Sequence, residues 1–305
     1  MKKIAIIMPT LLSVLALSGC SFIKNIFNSA SRPSFSDKGE QTERERFVSD
    51  INEGLEKAGL EYRMNETHYS SFTGGYKAAG DSDEKAYRNG KTVRKYSTSA
   101  QYSSSIKYDS SHKAAQFKNE QKTTRTENSD SETISTKQER EATGHYQYDG
   151  DELVFTNEKT KKYSAPPAYN SSVYEPEYRM DAALNGDLSQ IISSFTSLTS
   201  ETYESYCKYY ENGHIYTIEY EQKYDVDSTA MSYKATVKAK FQMNLSGKKM
   251  TLKLTQTTSA DYKYSTEYFS DYDSSSLYSD QYGTATIEFK PTSVKPVDLS
   301  GYKKI

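Results

Sequence analysis

The chain has 305 residues, with 39 basic and 41 acidic side chains, and a formal net charge of −2. Setting residues 1–19 aside as a leader removes Lys2 and Lys3, which leaves 37 basic against 41 acidic side chains, a net of −4. That balance gives no electrostatic case for nucleic acid or for an anionic membrane surface. Apolar residues make up only 35%, which raises disorder as a reading, but 28 Tyr and no Trp argue for folded sheet over a thin core. Tyr favours strands and can bury its ring while its hydroxyl stays wet.

At the start, Lys2 and Lys3, an apolar run over 4–17 and small residues before Cys20 make a secretory signal. Its end, Ser18-Gly19-Cys20, resembles the lipobox of a bacterial lipoprotein signal. The resemblance implies cleavage before Cys20, diacylation of Cys20, and a lipid-anchored chain on the extracytoplasmic face of the cell membrane. A plain signal peptide and a single membrane helix are the alternatives. The run is short for a span of ~20 residues, and Pro9 interrupts it. Apart from Cys20 the only cysteine is Cys207, so an intramolecular disulfide is not expected; Cys207 reads as a small side chain on a strand.

Residues 20–40 carry the lipid site and then read as a Ser-, Asn- and Lys-rich tether. A helix is predicted over about 41–58, where Phe47, Ile51, Leu55 and Ala58 share one face, with Thr42 as cap and Gly59 as stop. Gly54 weakens it. Strands follow to about 164, with hairpin turns at Asn89-Gly90 and Asp149-Gly150. The polar stretch 107–143 reads as exposed strands joined near Asn128-Ser129-Asp130, with a disordered insertion as the competing reading. A second helix is predicted over about 180–198, with Leu184, Leu188, Ile191, Ile192, Phe195 and Leu198 on one stripe. The last third alternates at period two through Val237, Ala239, Phe241, Met243 and Leu245, then Met250, Leu252 and Leu254, then Ala285, Ile287 and Phe289. Turns are marked by Asn212-Gly213 and Ser246-Gly247. Residues 41–305 therefore read as one α+β domain with helices on one side of an antiparallel sheet.

Chemistry is sparse. His68, His112, His145 and His214 have no partner at a metal-building spacing. Asp271-Tyr272-Asp273 and Asp225-Val226-Asp227 begin like calcium loops, but Ser276 and Ala230 stand where the sharp turn needs Gly. The Ser-x-x-Lys matches at Ser104 and Ser110 lack their partner motifs. No catalytic residue, metal or cofactor is expected, and the chain reads as a non-enzyme.

The helix at 41–58, the helix with Leu188, Ile192 and Phe195, and the strands around Phe241 and Leu252 together resemble the LolA/LolB/LppX-like lipoprotein-carrier superfamily in layout. The resemblance implies a curved, unclosed, half-barrel-like antiparallel sheet with two helices packed on one side. It also implies a hydrophobic or lipid-like ligand held between them, lined by some of Leu188, Ile192, Phe195, Phe241, Met243, Leu252 and Ile287. The same residues suit an ordinary packed core. The alternative function is an adhesive or scaffolding surface protein acting through exposed Tyr such as Tyr262 and Tyr264.

Overall fold

The structure is a computed structural model that describes residues 32–57, 71–112, 114–129, 132–149, 152–165, 195–265 and 273–295. In chain order these form β1 (Glu40–Thr42), α1 (Arg44–Lys57), β2 (Phe72–Arg88), β3 (Lys91–Asp109), β4 (Ala114–Ser129), β5 (Thr133–Asp149) and β6 (Glu152–Ala165). A short 3-10 turn (Glu201–Tyr206) precedes β7 (Cys207–Asn212), β8 (Ile215–Asp227), β9 (Met231–Ser246), β10 (Lys249–Tyr264) and β11 (Ser274–Phe289). One antiparallel sheet takes all eleven strands in the order β1-β7-β8-β9-β10-β11-β2-β3-β4-β5-β6. The order does not return to its start, so the sheet is open.

This corrects the α+β expectation. An unclosed antiparallel sheet is present, but the architecture is nearly all strand, with α1 as its one substantial helix among the described residues. The predicted helix at 180–198 lies outside the described residues except for a helical turn at 195–197. The difference lies in strand length, since β2 to β6 run 14 to 19 residues each, while the strand reading of the middle of the chain holds. The polar stretch around 107–143 is not an insertion but the body of β4 and β5, which are 16 and 17 residues long. In β4 the polar residues take both faces: Gln121, Thr123 and Glu127 follow Phe117 on one, and Lys118, Glu120 and Lys122 lie on the other.

The hairpins fall where turn chemistry demands. Asn89 and Gly90 both have positive φ, 52° and 72°, and join Arg88 to Lys91 across a two-residue turn. Gly213 and Gly247, at φ 58° and 57°, do the same for β7–β8 and β9–β10.

Register sorts the side chains onto two faces. Ile218, Phe241 and Leu254 lie in one cross-strand row, and Tyr216, Met243 and Leu252 in the next. These belong to the apolar face, which α1 covers with Phe47 and Ile51. Gly54 explains its own place in that helix: a Cβ there would lie 2.7 Å from the Tyr216 hydroxyl. The same hydroxyl donates to the Asp50 carbonyl at 2.8 Å, so the missing side chain lets helix and sheet meet. Farther along the strands the apolar face turns polar. Gln256 and Thr258 of β10 and Thr98 of β3 are buried there. The opposite face carries Lys, Glu, Thr and Asp in register.

Where α1 meets β7, burial and then the neighbouring Asp50 push the Glu211 carboxyl up to about 7. One Glu211 oxygen is buried without a hydrogen-bond partner. A raised carboxyl pKa adds stability that is complete below the ordinary carboxyl range and disappears as pH rises through about 7. Thermal unfolding should therefore show added stability on going from pH 8 to pH 5, of about 1 kcal/mol once solvent screening is allowed for. Glu211→Gln should stabilise the protein at pH 8 and remove that part of the slope. An unchanged slope would rule Glu211 out as its source.

Candidate binding site on the polar sheet face

The polar face is built as a charge ladder. Lys208 of β7 stands opposite Glu219 of β8, which stands opposite Lys240 of β9, which stands opposite Thr255 of β10. One step along the strands, Glu221, Lys238 and Thr257 form a second row. Lys240 and Lys238 reach Glu219 and Glu221 at 3.6 Å each. These rows, with Tyr206 and Tyr220 at one end, line an open trough of about 310 Å³. Opposite charges on neighbouring strands hold one another in place, and the Thr257 hydroxyl donates to Asp280 at 3.4 Å, while Thr255 and an exposed Lys208 face the hollow.

Beside the trough runs an extended strap, 32–39. Arg32 pairs with Asp280 of β11 at 3.0 Å, and Lys253 of β10 donates to the Ser34 carbonyl at 2.6 Å. The Lys240 ammonium lies 5.0 Å from the Phe35 ring centroid. The Gln242 amide pairs with the Ser36 main chain, accepting from its N–H at 3.1 Å and donating to its carbonyl at 3.4 Å. Lys38 reaches Glu219 at 3.2 Å and stands 4.6 Å over the Tyr210 ring. Within the expected tether of 20–40, the described part thus crosses β11 to β7 in order. Its alternating Arg32, Ser34, Ser36 and Lys38 carried that signal, and composition alone concealed it.

The predicted ligand-lining residues meet, but as a core. Phe195, Phe241, Met243, Leu252 and Ile287 are all buried and belong to one packed cluster with Phe47, Tyr209 and Tyr216. Leu188 and Ile192 lie outside the described residues, as does Cys20. The carrier reading needed a lipid-sized space between sheet and helices. The described side chains fill that space with one another, so the lipoprotein-carrier function is corrected. The adhesive alternative fares no better. Tyr262 and Tyr264 stack at 6.2 Å, and Tyr233 lies 5.5 Å from Tyr262, all partly buried on the apolar side rather than forming an exposed Tyr sheet. Of the large apolar side chains, only Tyr206, Val226, Met231 and Tyr278 are exposed among the described residues.

Other titratable groups serve structure. His112 bonds Asp109 at 2.7 Å at the β3–β4 turn, and His214 is exposed at the β7–β8 turn. Asp273 accepts from the Asn89 N–H at 2.7 Å, while Asp225, Val226 and Asp227 end strand β8 and Ser228 closes the β8–β9 turn, so neither calcium-like segment forms an ion loop where it is described. Burial pushes the Cys207 thiol up to about 12, which makes it a poor nucleophile. No group of three or more His, Cys, Asp or Glu side chains suited to a metal ion occurs among the described residues. No helix among them is long and apolar enough to cross a membrane.

No family model matches the chain, and no curated protein matches it. Among solved structures it is similar to the transport unit of the autotransporter AIDA-I from Escherichia coli, at 8% identity and a TM-score of 0.22, covering 82% of this chain and 100% of that one. It is similar also to the outer membrane protease OmpT from Escherichia coli, at 8% identity and a TM-score of 0.20, covering 73% of this chain and 97% of that one. The translocator domain of the autotransporter NalP from Neisseria meningitidis follows at 8% identity and a TM-score of 0.15, covering 79% and 96%. These are outer-membrane and autotransporter units rather than lipoprotein carriers. At such TM-scores the likeness carries no argument about what this chain does.

Proposed function

We propose that this chain is an exported, membrane-associated protein of the cell envelope that works by binding a polar partner at the trough, without catalysis. The trough carries the reading: four strands place Lys208, Glu219, Glu221, Lys238 and Lys240 with Thr255 and Thr257 around one open hollow of about 310 Å³. Export rests on the leader pattern over 4–17. Membrane association rests on Cys20 as the site of acylation, which two acyl chains would make stable.

Retention on isolated cell envelopes tests the binding. In a Cys20→Ala background that carries no lipid, Lys208→Glu with Lys238→Glu should cut retention of the purified chain at least fivefold, with an unchanged circular dichroism spectrum. Retention equal to that of the parent would sink the trough as a binding site. On fractionation of cells, Cys20→Ala should move the chain to the soluble fraction; a variant as firmly membrane-bound as the parent would remove Cys20 as the anchor.

A further inference from the structure

Strand β7 stops short of its neighbour. It pairs β8 only from Ile215 to Tyr220, whereas β8 continues to Asp227 against β9. Beyond Tyr220, β8 has no strand on its β7 side among the described residues. The trough opens at this step, since Tyr206, Lys208, Tyr220 and Glu221 all line it.

The hydrogen-bond phase of β8 determines what that edge presents. Leu245 N–H donates to the His214 carbonyl, and Ser228 N–H to the Met231 carbonyl, each at 3.0 Å. Bonded pairs alternate along an antiparallel ladder, so even-numbered residues of β8 bond β9. Glu221, Lys223, Asp225 and Asp227 therefore turn their main-chain N–H and C=O groups toward the open side. Apolar surface gathers at the same place. Val226 lies on this edge, Met231 opens β9 just after the turn that ends it and Tyr206 stands just before β7, and these are three of the four exposed large apolar side chains among the described residues.

We infer that the open edge of β8 accepts an extended, basic polypeptide strand that continues the lane of β7. This rests on the reading of the trough as a binding site and gives its partner a class and a geometry. The added strand runs antiparallel to β8 and satisfies the main-chain groups of residues 221–227. Its side chains alternate between the polar face and the Tyr224 and Val226 side. Glu221 already meets Lys223 and Lys238, and Asp225 meets Lys234, so a basic residue opposite either shares its carboxylate, while Asp227 faces the added strand directly. Cross-strand pairing still sets the preference: basic residues suit positions opposite these three carboxylates, and an acidic one suits the position opposite Lys223. The same charges reject an unmatched strand, which is how charged edges prevent indiscriminate pairing.

A fluorescein-labelled peptide, Lys-Val-Lys-Val-Glu-Val-Lys, provides the probe, titrated with the detergent-solubilised full chain and followed by anisotropy. Saturable binding is expected, at least tenfold weaker for the charge-reversed peptide Glu-Val-Glu-Val-Lys-Val-Glu. Asp225→Pro removes an edge-facing N–H while leaving the β8–β9 bonds intact, and should also weaken binding at least tenfold. Asp225→Lys with Asp227→Lys, which needs no backbone change, should abolish the preference between the two peptides, since each then meets two matched and two like-charge positions. Absence of saturable binding overturns the inference. So does a loss smaller than tenfold in a folded Asp225→Pro, or an unchanged preference in Asp225→Lys with Asp227→Lys. The two readings fail separately. Lost envelope retention in the trough variants, with peptide binding indifferent to Asp225→Pro, sinks the edge alone. Unchanged retention in the trough variants sinks the trough.

Discussion

Phe47→Ala should destabilise the protein by about 3–5 kcal/mol, the range for a fully buried aromatic cut back to a methyl. Phe47 is 0% exposed. Its ring lies 5.0 Å from Tyr209, 5.8 Å and edge-on to Tyr216, and 6.5 Å from Phe195. It joins α1, β7, β8 and the segment before the 3-10 turn in one contact. Ile51 backs it one helical turn on, while the outward side of α1 is charged and exposed. The sheet alone would leave Tyr209, Tyr216 and Leu245 facing water, so the helix closes the core rather than decorating it. Urea denaturation followed by Tyr fluorescence would measure the change, there being no Trp. A loss under 1 kcal/mol would mean that α1 is dispensable to the fold.

Asp109→Asn should cost about 2–4 kcal/mol, because a buried carboxylate with several donors is replaced by a group that cannot accept from all of them. Asp109 is 2% exposed at the end of β3. It accepts from the His112 ring nitrogen at 2.7 Å, from Ser111 N–H at 2.9 Å and from Val294 N–H at 3.0 Å. The last bond ties the segment after β11 to the β3–β4 turn, where Val294 is itself buried. The His112 bond, followed by those main-chain donors, holds the Asp109 carboxyl well below the usual carboxylate range. A depressed carboxyl pKa gives stability that is present above the ordinary value near 4 and is lost as pH falls further. The parent should thus lose stability on acidification below about pH 4, and Asp109→Asn should lack that limb while being weaker at pH 7. Parallel stability curves for the two proteins down to pH 2 would show that Asp109 is not the group responsible.

The sequence determined much of this protein by itself. Strict alternation from Val237 to Leu254 makes sense only as strands with one dry face, and those residues do form one. Asn-Gly and Ser-Gly pairs located hairpins because positive φ has few tolerant residues. The face of the first helix was legible from Phe47 and Ile51 at helical spacing. The strands of the polar middle were legible with their turn near Asn128-Ser129-Asp130, but their full length was not, because residues 114–149 carry few apolar side chains to show a period. Their strands exist because β3 offers an edge already in register.

Only the tertiary structure decided the rest. Whether Phe241, Met243, Leu252 and Ile287 line a cavity or fill a core depends on how closely the facing elements approach, which no local pattern encodes. The trough and the open stretch of β8 depend on where β7 stops relative to β8, a difference of pairing length between two strands. The strap at 32–39 looked like linker because its composition is polar. It became a structural element because Gln242, Lys253 and Asp280, more than two hundred residues away, meet its main chain and Arg32 on one face.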